Sequence, residues 1–222
     1  MHPLNPAQHE TYQTLGHLTV ANVYGADEMD GAIADAEDWA RHEIERLDQA
    51  ERAWYLDGGV KDRAVLRKLD NPVYWRPAFR ALAASETLLA LVTDIIGPAP
   101  RVFFSQFFFK APGGGGPKPV HQDNFYFGPN DLDGMVTAWI ALDDADAGNG
   151  CLFYGDGSNL GPVIAHVAPE GQPFNLRLPD DVPRRIPLTA APAPPGGTPF
   201  LQPRPRPQSS ANPPDARRRR LP

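Results

Sequence analysis

Val120-His121-Gln122-Asp123-Asn124-Phe125-Tyr126 is the stretch on which the fold of this chain turns. Phe125, Tyr126 and Phe127 have high β-propensity, and Gly128-Pro129-Asn130-Asp131 ends the run with turn residues, so the spacing predicts a strand over 120–127. On a strand, residues i and i+2 project from one face. His121 and Asp123 would then aim an imidazole nitrogen and a carboxylate oxygen at a single point. Such a pair, completed by one more histidine, is the 2-His-1-carboxylate arrangement that leaves open positions on Fe(II). A chain with six histidines also produces His-x-Asp by chance, so the neighbouring sequence has to carry the argument.

The neighbouring sequence changes character near residue 100. Upstream, helices dominate. Leu15 to Val23 is short and β-branched, fit for an edge strand. Gly25 to Gln49 predicts a helix, with Met29, Ile33, Ala36, Ala40, Ile44 and Leu47 on one buried stripe. Asp27, Glu28 and Asp30 crowd its first turn, where the helix dipole favours negative charge. Pro77 can open a second helix, and Ser85 caps a third over Glu86 to Ile96, with Gly97 at its end. Downstream, strands are expected over Arg101 to Lys110, Val120 to Phe127, Met135 to Leu142 and Cys151 to Tyr154. Pro112 to Pro119, with four consecutive glycines, is expected to be a loop; it lacks the Lys-Ser/Thr of a phosphate-binding loop. Helices followed by turn-separated strands predict an α+β fold, a sandwich or barrel buttressed by helices.

Composition narrows the class. The chain has 222 residues and a formal net charge of −6, which argues against a nucleic-acid-binding body. Cys151 is the only cysteine, so an internal disulfide is excluded and a reducing compartment fits. No apolar run reaches about 18 residues, and Met1 to Thr14 lacks an apolar core, so neither a membrane span nor a signal peptide is expected. The expectation is a cytoplasmic protein with no membrane partner.

Four segments in register then resemble the phytanoyl-CoA dioxygenase family. They are Phe107-Phe108-Phe109-Lys110-Ala111-Pro112-Gly113, His121 to Tyr126, Thr137-Ala138-Trp139-Ile140-Ala141-Leu142-Asp143-Asp144, and Asn149-Gly150-Cys151-Leu152. The resemblance spans about residues 15–197. It implies a non-haem Fe(II), 2-oxoglutarate-dependent dioxygenase on a double-stranded β-helix, a jelly roll related to the cupins, that oxidises a small molecule with O₂. His121 and Asp123 match the first histidine and the carboxylate of the iron site, with no catalytic residue expected beyond the metal ligands. Gln106, Trp139 and Lys68 match positions that line or approach 2-oxoglutarate in relatives. Trp139 also suits plain core, Gln106 a solvent-facing strand position, and Lys68 a solvated charge. After Cys151-Leu152, relatives carry Pro-Gly-Ser-His where this chain has Asp156-Gly157-Ser158-Asn159, a change expected to touch substrate contacts rather than iron.

The resemblance breaks at the C-terminus. The family closes its iron site with a distal histidine, followed by an arginine that pairs with the far carboxylate of 2-oxoglutarate, a bidentate fork. Counted along that pattern, the histidine falls at about Pro207, within Pro199-Phe200-Leu201-Gln202-Pro203-Arg204-Pro205-Arg206-Pro207. Repeated prolines cannot donate to a central strand ladder. Residues 198–222 are therefore expected to form a disordered Pro/Arg-rich tail, with the family's C-terminal strands missing, after a Fe(II)/2-oxoglutarate dioxygenase-like domain over 1–197. A reading-frame shift near Thr198 would account for the change of text, and the nucleotide sequence tests it. His166 is a poor substitute ligand.

Three functions stand at this point. The first is a dioxygenase by lineage, impaired in this chain. The second is a non-catalytic jelly roll that binds a small ligand. The third, a cupin-like metalloenzyme of other chemistry, needs a histidine-rich four-ligand site for which the sequence lacks the histidines.

Overall fold

The computed structural model describes residues 3–56, 65–113, 116–128, 134–170, 176–180, 182, 187–205 and 207–209. The expected turn at 129–131, the glycines at 114–115 and the arginine run at 217–220 lie outside them. Within them the chain is α+β, with helices in the first hundred residues and antiparallel sheets after.

The N-terminal half runs α1 (Pro6–Leu15), β1 (His17–Val20), α2 (Ala26–Arg46), α3 (Gln49–Tyr55), β2 (Lys68–Asp70), α4 (Pro72–Trp75), α5 (Pro77–Ala83) and α6 (Glu86–Ile96). α6 has the bounds the sequence predicts. The Ser85 hydroxyl accepts the Leu88 N–H at 3.2 Å, and Gly97 takes φ +92° where a side chain would be strained. Three helices of this half were not expected, α1, α3 and the four-residue α4. α1 and α3 begin with a capping box, Asn5 with Gln8 and Asp48 with Glu51, in which side chain and backbone satisfy each other reciprocally. The stripe predicted on α2 is buried at Met29, Ile33, Ala36 and Ala40. Met29, Ile33 and Ala36, with Phe79 and Leu82 of α5 and Leu88 and Leu91 of α6, form the main core, and Ala40 packs with Leu47, Leu66, Leu69 and Phe109 in a second cluster.

The C-terminal half runs β3 (Gln106–Phe108), α7 (Asp123–Phe127), β4 (Thr137–Ala138), β5 (Leu152–Gly155), β6 (Leu188–Ala191), β7 (Thr198–Leu201) and β8 (Pro207–Ser209). Three sheets result, in the orders β1-β7-β4, β2-β3 and β6-β5-β8, with every pairing antiparallel. Of the predicted strands, Arg101 to Lys110 contracts to β3 and Met135 to Leu142 to β4, while Cys151 to Tyr154 is met, one residue on, by β5.

Two expectations need correction. The first is the strand over 120–127: only its start is extended, and Asp123–Phe127 is a helical turn capped by Gly128 at φ +52°. The second is the tail beginning at 198. Thr198–Leu201 is the central strand of its sheet, with Phe200 and Thr198 fully buried, and Phe200 enters the main core. Pro207–Ser209 pairs with β5, Pro207 opposite Tyr154. C-terminal strands are therefore present, and order extends to at least residue 209.

The proline argument failed for a definite reason. A proline lacks a donor but keeps its carbonyl. Here Pro199 accepts from the Trp139 N–H at 2.9 Å, Pro203 from Asn124 at 2.8 Å and Pro207 from His121 at 3.1 Å. The prolines sit where the ladder asks only for acceptors. Pro203, Pro205 and Pro207 are buried while Gln202, Arg204 and Gln208 are half-buried, an alternation that suits a strand.

Candidate metal centre

The segment 118–121 lies along the outer side of β8. Lys118 and Ser209 exchange both backbone hydrogen bonds at 3.0 Å, and the His121 N–H reaches Pro207 O. Beyond His121 the chain turns into α7, so His121 and Asp123 meet across a strand end and a helix start rather than along one strand. Their Nε2 and Oδ1 atoms are 3.4 Å apart, and both side chains are largely buried.

Each far atom is tied off. His121 Nδ1 lies 2.8 Å from the Pro119 carbonyl, which can only accept, so Nδ1 carries a proton and Nε2 is the nitrogen turned to Asp123. The Thr137 hydroxyl of β4 donates to Asp123 Oδ2 at 3.1 Å, leaving Oδ1 turned to the histidine. With Nε2 unprotonated, the two lone pairs would face each other, an arrangement that a shared cation relieves. Ligands each about 2.1 Å from one metal stand roughly 3 Å apart at a right angle, so the observed separation fits a shared ion. Orienting bonds of this kind behind the ligands are the usual support of metal sites.

Gln122 is the anchor between His121 and Asp123. Its fully buried amide donates to Pro162 O at 3.1 Å and Arg204 O at 2.8 Å, and accepts from the Ile164 N–H at 2.9 Å. Its own backbone N–H donates to His166 Nε2 at 2.8 Å, while His166 Nδ1 donates to Ile164 O at 2.7 Å. Both nitrogens of His166 are thereby used, its ring stacks on Phe125 at 4.3 Å, and it is no substitute ligand. Among the described residues no group of three His, Cys, Asp or Glu is placed to hold a metal. The third position of the family pattern, Pro207, is beside His121 in space, but its side chain has nothing to coordinate.

The residues matched to 2-oxoglutarate positions divide. In the β2-β3 pair, Gln106 stands opposite Asp70. Gln106 Nε2 donates to Asp70 at 2.7 Å, Lys68 Nζ at 2.9 and 3.1 Å, and Tyr55 Oη at 3.0 Å. Burial alone would raise the Asp70 carboxyl, but bonds from Gln106 and Lys68 outweigh it and hold it below the usual carboxylate range. The hydrogen bonds of Gln106 and Lys68 thus run to Asp70 rather than to the His121–Asp123 pair. Trp139 packs with Tyr154, Leu201, Ala191 and Leu152, which is a core role.

Lys118 was missed by the sequence reading. Its ammonium bonds Tyr126 Oη at 2.9 Å and stands over that ring at 4.9 Å. Burial pushes it down to about 8, as does repulsion from Arg67 and Lys68, against the pull of Asp123. Positive charge therefore gathers beside the motif. Nothing in local sequence announces Lys118, Thr137 or Gln122, because each acts through partners distant in the chain.

The fold places a paired His and Asp among helices and antiparallel sheets, and comparison with known proteins gives the family. The family model for phytanoyl-CoA dioxygenase (PhyH) matches residues 12–220, and this chain belongs to that family. It is 27% identical over 195 residues to phytanoyl-CoA dioxygenase domain-containing protein 1 of Bos taurus, covering 72% of this chain and 67% of the relative. It is 26% identical over 159 residues to a probable alpha-ketoglutarate-dependent hypophosphite dioxygenase of Stutzerimonas stutzeri, covering 72% of this chain and 55% of that protein. In fold it is similar to the non-heme alpha ketoglutarate dependent carbocyclase SnoK, with TM-score 0.70 and 22% identity over 96% of this chain and 80% of SnoK. It is also similar to EctD from S. alaskensis, a structure with 2-oxoglutarate and 5-hydroxyectoine, with TM-score 0.72 and 17% identity over 95% and 72% of the two chains. None of the described helices is long and apolar enough to cross a membrane.

Proposed function

We propose that this chain is an Fe(II)- and 2-oxoglutarate-dependent dioxygenase by lineage, acting on a small organic substrate with O₂, whose turnover is impaired by the missing distal histidine and arginine. The two three-stranded sheets are the faces of its double-stranded β-helix. The observation that carries this is the His121–Asp123 pair, two lone pairs 3.4 Å apart with their outer atoms fixed by Pro119 and Thr137. His121 Nε2 and Asp123 Oδ1 would hold the metal. When bound, iron with 2-oxoglutarate supplies oxidation of an unactivated C–H bond. The chain's own groups orient and shield: Pro119 fixes the imidazole tautomer, Thr137 fixes the carboxylate, and Lys118 places positive charge near an anionic ligand. Gln106 and Lys68 contribute through the Asp70 cluster, and Trp139 contributes by packing.

A second reading, a non-catalytic jelly roll that binds a small ligand, is favoured by Pro207 and by the lack of a third metal-ligating side chain among the described residues. One experiment separates them. Mn(II) and then 2-oxoglutarate are titrated onto the chain and onto His121→Ala and Asp123→Ala, and succinate is followed with Fe(II) and O₂. The expected result is metal-dependent 2-oxoglutarate binding, abolished by either substitution, with little or no succinate. Robust succinate formation would refute the impairment. Ligand binding indifferent to both substitutions favours the second reading.

A further inference from the structure

We propose that the cavity between α2, α3, β2 and α4 is a binding site for a small organic cation, separate from the His121–Asp123 pair and independent of the functional reading above. The cavity measures about 770 Å³, and no residue of the 118–126 segment lines it. Small-molecule sites span roughly 300–1,000 Å³.

Its walls are aromatic. Trp39 of α2, Tyr55 at the end of α3 and Trp75 of α4 all line it. Trp75 is 63% exposed, its ring in an edge contact with Tyr74 at 4.6 Å, so most of the indole is open to a ligand. The chain's own cations already use two of these rings. Lys68 Nζ lies 5.3 Å from the centroid of Tyr55, and Arg76 Cζ 5.9 Å from that of Trp39.

The charge of the lining decides the class of ligand. Three carboxylates, Asp38, Glu43 and Asp70, stand against two guanidiniums. Arg76 is committed to Asp35 and Asp38, and Lys68 answers Asp70 at 2.9 Å. His42 is tied to the Asp38 carbonyl at 2.8 Å. Glu43 is different. Its side chain is only 22% exposed, one turn along α2 from Trp39, and its Oε1 has no hydrogen-bond partner among the described residues. Its only ion pair among them is with Arg46 at 3.3 Å, a side chain 76% exposed, and surface pairs of this kind contribute little. Tyr55 senses the same excess: burial, then Asp70, Glu51 and Glu43, pushes its phenol up to about 12. A half-buried carboxylate with an open oxygen among aromatic rings is complementary to an ammonium that carries apolar substituents. An anion would face Glu43 at close range, and a neutral ligand would strip water from it without replacing the lost interaction.

The test titrates choline and its uncharged isostere 3,3-dimethylbutan-1-ol onto the full chain, Glu43→Gln and Trp75→Ala, followed by calorimetry. The expected result is saturable choline binding, with the alcohol weaker by about tenfold or more and choline weakened about fivefold or more in each variant. Neither side chain belongs to the buried core, so both variants should keep the wild-type melting temperature and Mn(II) affinity. Equal affinity for the two probes overturns the assignment. So does choline binding that either substitution leaves intact, or the lack of saturable choline binding. Choline binding lost on His121→Ala would place the cation at the metal motif and overturn it as well.

Discussion

His121 commits Nδ1 to the Pro119 carbonyl and turns Nε2 to Asp123 Oδ1, while Asp123 Oδ2 accepts from Thr137. Among the described residues no third His, Cys, Asp or Glu joins the pair, and Pro207 stands beside it with its carbonyl on the His121 N–H. Pro207→His is therefore expected to tighten Mn(II) binding by on the order of tenfold or more, a change that calorimetry resolves. The gain should vanish when His121→Ala is added; a gain that survives would place the new imidazole elsewhere. Lys118 offers a second test at this scale. Its folded pKa of about 8 lies below the 10.5 of an exposed lysine. The sign follows from linkage: the unfolded chain holds the proton more tightly, so burial costs stability below pH 8, and the cost fades as pH rises towards 10.5. Lys118→Met should stabilise the fold at pH 7 by at most about 3 kcal/mol, reduced by the lost Tyr126 contact. Denaturant titrations should show that advantage shrinking above pH 8; a constant advantage would mean packing alone is responsible.

Among the elements, those with strong end signals were legible. Ser85 and Gly97 delimit α6 and the apolar stripe defines α2. α1 and α3 carried equally clear signals, Asn5-Pro6 with Gln8 and Asp48 with Glu51, and were overlooked because their apolar periodicity is weak. Asp48→Ala should cost about 1 kcal/mol by removing one reciprocal cap; thermal melts read this directly. The strands were legible as locations but not as lengths, because pairing partners set where a strand stops. The helical turn at Asp123 was hidden by the β-propensity of Phe125 to Phe127, and Asn124 bonding back to Pro203 overrides it. Gly196, which leads into β7, has φ +76°, and a Cβ there would come within 2.3 Å of Tyr24 O. Gly196→Ala is expected to cost about 2 kcal/mol or more, strain and clash together. A loss of only a few tenths in denaturant titration would show that the turn can relax.

For the molecule as a whole, β7 joins the two halves. It pairs with β1 from the N-terminal half and β4 from the C-terminal half, and sends Phe200 into the helical core. Ending the chain at residue 197 should therefore abolish cooperative unfolding, not trim a tail; a truncated chain with an intact sharp melt would contradict this. Family and fold class could be read from four local motifs. The approach of His121 to Asp123 was readable too, because His-x-Asp is local. The contacts of Thr137 and Gln122 were not, since they exist only once segments far apart in the chain are brought together.

The prolines of the final segment carry one more consequence. Pro203, Pro205 and Pro207 have no amide hydrogen, so isotope exchange passes over half of that segment in silence. Its order is instead recorded by the amides that lean on it. Slow exchange at His121, Asn124 and Trp139 would be the signature of a firmly seated proline ladder, and their exchange rates would chart its opening from the opposite side of each bond.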